Sequence, residues 1–356
     1  MTECKICLFD DSIAKIHDDG ICEYCKLQDK LREASNPEEW EGKLEEIKKK
    51  GKGKQYDCLI GISGGEDSSV MLYLAVFVWG LRPLVIHFNN HTNRPEADHN
   101  IRLLVKELNV NFIEYFIDKG EYDRLCDSFL MAGVQDADLA NDVCMAKLMH
   151  TTALNYGIKY IFNGHSFREE GSSPKAWSII DYTYVKSVYE KFWGKMRNYP
   201  LYTVWDQIVA GVRGIRQVRP FHYDDFNRQH ILRNLKALGW KDYGGKHNEN
   251  IYTAFIGNFL LPTKFGIDKR RTYLSAQIRE GNLTKEVAKL ILDTPATFNF
   301  EDLGDRKNHI LHIVSHSSVG KRSDYKMTDF RGLKPLFWLL MKIGVFPSTA
   351  YAKYCK

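Results

Sequence analysis

The sequence predicts an α/β protein: a Rossmann-like parallel sheet with helices on both faces, a small cysteine ribbon in front and a mostly helical part behind. Three observations predict it. Short apolar runs alternate with helix-period segments between residues 56 and 163. A Gly-Gly turn sits directly between the first of those runs and the first of those helices. Two CxxC pairs precede the whole series.

Composition supports a globular chain. The 356 residues are 44% hydrophobic and 27% charged, so a core of ordinary size forms without disulfide staples. The longest apolar runs, 70–81 and 336–346, are too short to span a bilayer, and Lys342 cuts the second. The first residues are polar and lead into no apolar segment, so no signal peptide is expected and the expected compartment is the cytoplasm. Net charge is +5, unevenly spread. From Arg306 onward ten Lys/Arg face only Asp324 and Asp329, a net of +8, so the other 305 residues carry −3. A general nucleic-acid affinity would have to come from that basic tail.

Cys4, Cys7, Cys22 and Cys25 read C-x2-C-x14-C-x2-C, with a turn signal at Asp18-Asp19-Gly20 between the pairs. Two such knuckles wrap one tetrahedral ion in thiolates, and zinc is the usual occupant, with iron the alternative. All four positions are filled, so such a site is structural or a docking surface. Cys58, Cys126 and Cys144 fall in apolar or helical runs and read as core thiols.

The elements follow in order. Asn36-Pro37 opens an amphipathic helix carrying Trp40, Leu44 and Ile47 on one face. Strands are expected at 57–62, 82–89, 111–118 and 158–163. Helices are expected at 68–79, 97–108, 121–131 and 142–156. Residues 172–223 are aromatic and irregular in period, suiting loops and short helices, as in a substrate lid. Helices are expected again at 224–238 and 283–292, whereas 241–271 shows no clean period. A basic tail is expected from 297. There are no internal repeats and no low-complexity tracts.

The chemistry concentrates at Ser63-Gly64-Gly65-Glu66-Asp67-Ser68-Ser69, directly after a strand and before a helix. Glycines let backbone amides approach a ligand, the helix N-terminus adds free N–H groups, and the serines add hydroxyls. A phosphate group suits such a nest. Asp67 inside it calls for a divalent cation, Mg²⁺, beside the phosphate. No Lys-Ser/Thr follows the glycines, so this is not a Walker A loop.

SGGxDS between strand and helix resembles the signature of the PP-loop ATP pyrophosphatases, over roughly residues 56–170. The runs 238–247 and 261–270, together with the cysteine pairs and the loop, resemble more narrowly the N-acetyl sugar amidotransferases (WbpG/PseA-like) of surface polysaccharide biosynthesis, over most of residues 1–293. The loop departs from that family at Glu66, where Lys is common, and Gly164-His165-Ser166 stands where Gly-Glu-Asn is expected.

The resemblance implies a zinc ribbon at 1–35, a PP-loop domain at 36–223 and a substrate-binding helical region at 224–296; the basic tail at 297–356 lies outside it. It implies ATP, Mg²⁺ and structural Zn²⁺ as cofactors. Nucleotide would be bound by Ser63, Gly64, Gly65, Asp67, Ser68, Ser69, His87, Gly164, His165 and Glu170, with Asp67 holding magnesium. Ser63, Asp67, Lys246, His247 and Lys264 are the implied catalytic set, and Lys269, Arg270 and Arg271 are further candidates for gripping an acidic or nucleotide-linked sugar. The implied reaction adenylates the acetamido oxygen of a sugar and replaces it with ammonia, giving an acetamidino group, AMP and pyrophosphate. The chain shows no glutaminase nucleophile motif, so a separate glutaminase and an ammonia-channel subunit are the implied partners. An oligomer and a tail on an anionic membrane surface, or packed on the body, are also compatible with the sequence. The rival reading is a PP-loop tRNA-thiolation enzyme, which would need Cys144 and Cys126 near the nucleotide; a further rival is an inactive scaffold.

Overall fold

The computed structural model describes residues 2–175, 177–223 and 226–355. Its centre is a parallel sheet of five strands in the order β3-β2-β1-β4-β5. These are β1 (Cys58–Gly61), β2 (Pro83–Asn89), β3 (Asn111–Phe116), β4 (Tyr160–Phe162) and β5 (Arg216–Val218). The chain winds from β1 to β2 and β3, then returns to lay β4 on the other side of β1. Strand order therefore reverses at β1, which opens a crevice at the carboxyl ends of β1 and β4. Leu59 pairs with Ile161 and Ile60 with Phe162 across that junction, all four buried.

Helices α1 (Glu23–Glu33) and α2 (Pro37–Gly51) precede the sheet. The Asn36 side chain accepts from Glu38 N and Pro37 takes the first turn, as the sequence indicates. Then come α3 (Glu66–Tyr73), α4 (Pro95–Glu107), α5 (Lys119–Ala132) and α6 (Leu139–Asn155). One sheet face is closed by Trp40, Ile47, Val70, Leu104 and Leu235, with the Trp40 and Trp79 rings 4.7 Å apart. The other is closed by Met149, Ala153, Ala210 and Ile215. The expected helix at 68–79 starts two residues earlier and ends in a π-turn, Leu74–Val78.

The irregular stretch after β4 is not a lid. It forms α7 (Tyr182–Trp193), α8 (Val204–Val212) and the edge strand β5. Tyr184, Val185 and Val188 of α7 are fully buried against Phe129 and Leu125. The strand β5 has only three residues, two of them exposed, and so leaves no alternating pattern to read. Next are α9 (Arg228–Ala237), α10 (Ile251–Phe255) and α11 (Leu261–Phe265). A π-turn, Ile256–Leu260, joins the last two, and its extra residue per turn explains the missing 3.6 period. The first two residues of the helix expected at 224–238 lie outside the described residues.

The C-terminal part adds α12 (Arg270–Arg279), α13 (Lys285–Asp293), α14 (Lys307–His316), α15 (Lys334–Lys342) and α16 (Ser348–Tyr354). The basic segment packs on the body, where its cations meet acids. Arg306 pairs with Asp123 and Asp127, His309 with Asp127 at 2.9 Å, and Arg322 with buried Asp136 at 2.6 Å. Phe337, Phe346 and Tyr351 close over Val204 of α8. Leu336 and Leu339 of α15, Ile343 at its end, and Trp205 and Val212 of α8 stay exposed. Among the described residues no helix is long and apolar enough to cross a membrane.

The seam between α8 and the C-terminal segment is tight. A Cβ on Gly211 would lie 1.8 Å from the Val345 carbonyl oxygen, whereas one on Gly42 in α2 would meet nothing within 4 Å. Gly211→Ala should therefore lower unfolding free energy by about 1–3 kcal/mol, the usual cost of overpacking. Gly42→Ala should raise it by about 0.5–1 kcal/mol, the helix cost of glycine. Urea unfolding of both variants checks the contrast, and equal effects would refute the close seam.

Candidate active site

The Gly-Ser loop leaves β1 and enters α3 at the crevice. Gly64 adopts φ +75°, and a Cβ there would sit 2.1 Å from the Ala97 carbonyl oxygen at the start of α4. Only glycine fits so close an approach. Asn100 fixes the loop from below: its Nδ2 donates to Gly64 O (3.0 Å) and Lys241 O (2.8 Å), and its Oδ1 accepts from Lys241 N (2.7 Å). The helix cap is Gly65, which has no side chain to satisfy the first amides. Glu66 N donates to the Tyr243 hydroxyl at 2.8 Å. Ser63 and Ser68 hydroxyls lie 3.2 Å apart at the mouth. Ser69 is buried, donating to Gly65 O at 2.7 Å and accepting from Trp240 Nε1 at 3.0 Å, so it shapes the loop instead of facing a ligand.

Arg228, at the first turn of α9, organises the acids. It is only 7% exposed and pairs with Glu66 (2.8 Å), with Asp67, and with Glu169 (3.2 Å). Glu66, expected to conflict with phosphate, is thus turned onto a guanidinium. Lys246 lies 3.9 Å from Asp67 and 3.6 Å from Glu170, and His247 Nε2 lies 3.5 Å from Glu170. Glu249 receives the Ser63 hydroxyl at 3.4 Å, while its other oxygen is buried without a partner. Ser63, Glu66, Asp67, Arg228, Lys246, His247 and Glu249 line a cavity of about 150 Å³ together with Trp240, Asp242 and Tyr243. Gly164 completes the wall: a Cβ on it would lie 3.6 Å from Asp67 Cβ.

Electrostatics follow from burial. Burial alone would raise the Asp67 carboxyl, but the charges of Arg228 and Lys246 outweigh it and hold it below its usual value. Burial raises Glu169, Glu170 and Glu249. Burial lowers His165 and His247, which favours neutral imidazoles. Glu66, Asp67, Glu169 and Glu170 share two cations, Arg228 and Lys246, and Asp242 and Glu249 add further acid to the cavity lining. A bare polyphosphate would meet net negative charge. The donor set fits a divalent cation that enters with the phosphate, and Asp67 and Glu170 are the residues to hold it.

The other expected site residues lie elsewhere. His87 is buried, with Nδ1 2.8 Å from Ile62 O and Nε2 3.1 Å from Asn93, so it ties the strand ends together. Lys264 donates to Ser317 O (2.6 Å) and Oγ (2.5 Å) at the end of α14. Lys269 lies 4.0 Å from Asp138, Arg270 pairs with Asp268, and Arg271 reaches Asp10 of the ribbon at 3.1 Å. Arg228, Tyr243 and Glu249 were not foreseen. One signal was available for Arg228: a cation in the first turn opposes the helix dipole, which needs a compensating acid.

The ribbon's four cysteines form a cluster that could hold a metal ion. The Sγ atoms of Cys4, Cys7, Cys22 and Cys25 lie within 4.8 Å of one another. Three pairs are 3.5, 3.6 and 3.8 Å apart. A tetrahedral ion with metal–sulfur bonds of about 2.3 Å places its sulfurs about 3.8 Å apart, so the cluster fits one such ion. Arg279 of α12 donates to Cys25 Sγ and Cys7 Sγ, both at 3.3 Å, which offsets thiolate charge. Leu8 packs on Leu274 and Ala288, so the ribbon is docked on α12 and α13.

Two outcomes test these centres. Arg228→Gln should cost about 3–5 kcal/mol at neutral pH, because three carboxylates lose their partner. Without that cation the folded-state value of Asp67 rises, and that of Glu169, already raised by burial, rises further. The penalty is then present at neutral pH and relieved as pH falls through the raised values. Urea unfolding at pH 8 and pH 5 should show the deficit shrinking, and a pH-independent deficit would refute this account. Elemental analysis should find about one zinc per chain, lost in Cys22→Ser.

Comparison with known proteins adds the following. Residues 249–313 match the family described as LPS biosynthesis protein WbpG-like, C-terminal domain. An uncharacterized protein of Methanocaldococcus jannaschii, MJ1599, is 24% identical over 300 residues, covering 82% of this chain and 94% of that protein. NMN synthetase from Francisella tularensis is 14% identical with a TM-score of 0.36, covering 78% of this chain and 96% of that one. U34-tRNA thiolase NcsA from Methanococcus maripaludis is 11% identical with a TM-score of 0.34, covering 92% and 99%. Likenesses at these scores carry no argument about chemistry, which rests on the geometry above. Residues 249–313 thus form a WbpG-like C-terminal domain behind the Ser63–Ser69 loop of a parallel α/β sheet.

Proposed function

We propose that the protein is an ATP-dependent amidotransferase that acts on the N-acetyl group of a sugar in surface-polysaccharide biosynthesis. One observation carries the reading. The WbpG-like segment begins at Glu249, whose carboxylate accepts the hydroxyl of Ser63 in the phosphate-suited loop. The matched domain and the loop thus share one site.

In this reading the acetamido oxygen attacks the α-phosphorus of ATP. The bond to the pyrophosphate oxygen breaks, and pyrophosphate leaves into the Ser63–Ser69 nest. A divalent cation held by Asp67 and Glu170 would supply the charge that the polyphosphate needs there. Ammonia then adds to the activated carbon and AMP departs, leaving C=NH where C=O stood. The proton lost by the nitrogen goes to His247 Nε2, which is neutral and lines the cavity. Arg228 and Asn100 keep the loop in shape through both steps. Ammonia would come from a separate glutaminase through a channel subunit.

The thiolation reading finds less support. Cys126 and Cys144 are fully buried in the core, and burial pushes both thiols up, Cys126 to about 12. Among the described residues no cysteine lines the cavity.

The test is incubation with ATP, Mg²⁺, ammonium and a panel of UDP- and CMP-linked acetamido sugars, read by mass spectrometry. One sugar should gain NH in place of an amide oxygen, with AMP formed in step. Asp67→Asn should abolish both products. ATP turnover without any altered sugar would reject the amidotransferase reading.

A further inference from the structure

Beside the acidic cavity lies a second cluster with the opposite character. It sits at the carboxyl ends of β4 and β5, where His165 and Arg168 follow one strand and Arg219 and His222 follow the other. Backbone bonds hold the two strand exits together, with Asn163 N donating to Val218 O at 2.8 Å and the Ser166 hydroxyl donating to Phe221 O at 3.3 Å. The His165 and His222 ring centroids are 5.8 Å apart. His222 packs edge-on against Phe167 at 4.9 Å, and the Arg168 guanidinium covers the same Phe167 ring at 5.0 Å.

Three buried polar atoms in this cluster have no partner: His165 Nδ1, Arg168 Nε and His222 Nε2. They are three of the five such side-chain atoms among the described residues, and a fourth, on Glu249, belongs to the loop site next door. His165 Nε2 donates to Gly171 O at 3.0 Å, so Nδ1 of its neutral ring is an acceptor, whereas Arg168 Nε can only donate and His222 Nε2 is free to donate. A buried donor without an acceptor costs about 1–3 kcal/mol, so the Arg168 and His222 nitrogens together mark a ligand position. The neighbours are cationic. Burial, and then the like charge of Arg219, His165 and Arg168, pushes His222 down to about 3. The Arg219 side chain is exposed, and among the described residues no carboxylate reaches it. Arg168 gives one nitrogen to Glu280 at 3.0 Å, which leaves Nε free.

We propose that Arg168, Arg219 and His222 form an anion subsite for the diphosphate of a nucleotide-linked sugar. The inference rests on the reading above and narrows its substrate to a diphosphate-bearing sugar. Forked guanidinium donors and imidazole N–H groups match phosphate oxygens. The location fits as well: β5 lies two strands from β1, so the subsite is about 10 Å across the sheet from the loop. One extended substrate can span that distance, with its diphosphate on the basic cluster and its acetamido group beside ATP. The division of charge keeps the two polyphosphates apart. The acidic cavity accepts phosphate only with a divalent cation, whereas the basic cluster accepts it directly.

The experiment is calorimetric titration of UDP into the full chain preloaded with α,β-methylene-ATP and Mg²⁺, which blocks the loop. UDP should bind, and Arg219→Gln should weaken it by about tenfold or more, as expected for loss of a charge-assisted pair. Arg168→Lys, which keeps a cation for Glu280 and removes Nε, should weaken it too. Affinity for the ATP analogue should stay unchanged in both variants, and thermal melts should show that both fold. No UDP binding, or unchanged binding in Arg219→Gln, overturns the subsite. Glucuronate binding more tightly than UDP overturns the diphosphate assignment in favour of a sugar carboxylate. Failure of the amidotransferase reading is separable: UDP would bind through Arg219 while no acetamido sugar changes.

Discussion

Arg228 and the carboxylates around it cannot exist apart. A guanidinium this buried loses most of its hydration and survives only because Glu66, Asp67 and Glu169 replace it. Those carboxylates in turn crowd one another and depend on the cation. The cluster joins α3, α9 and the segment after β4, so the loop, the helix beyond the sheet and the acidic wall take up a single arrangement. A phosphate nest assembled before its ligand arrives loses little freedom on binding, which is how preorganisation speeds chemistry. The outlying shell continues this logic, since Tyr243 and Trp240 hold the loop's backbone and Ser69 from the opposite side.

Much of this was legible in the residues, and the divide is physical. The Ser63–Ser69 loop could be read because everything it needs is local: a strand, two glycines and a helix start within a dozen positions. The cysteine pairs could be read because tetrahedral coordination imposes its own spacing. Arg228 could not, since it meets Asp67 across 161 residues and no local pattern encodes that encounter. The π-turn at Ile256–Leu260 hid a continuous helix by shifting its period. Lys264 sits in a motif-rich run beside Gly266 and Lys269, yet its amine ends on Ser317, because free carbonyls at a helix C-terminus attract a cation. The departure at Glu66 became intelligible only with its partner in view.

The C-terminal part connects otherwise separate centres. Glu280, just beyond α12, accepts from Gln28 (2.6 Å) and Arg32 (2.9 Å) of α1 and from Arg168 (3.0 Å). One carboxylate thereby links the ribbon's helix to the residue directly preceding the acidic pair Glu169 and Glu170. The cysteine ribbon and the placement of the acidic wall share this connection, although among the described residues no cysteine lines the cavity.

The ribbon's attachment also has a consequence for synthesis. Its four cysteines are made first, but the residues that cover them, Ser275, Arg279 and Lys285, follow more than 250 positions later. At roughly 5–20 residues per second, the ribosome takes about 10–50 s to deliver them. During that interval the ribbon has no neighbour to dock on and its thiols stand open to the solvent. Only an ion already captured can hold the knuckles together and keep the sulfurs from oxidation. Where the knuckles take a metal, its supply during synthesis, before the chain has a sheet at all, would then bear on the yield of folded protein.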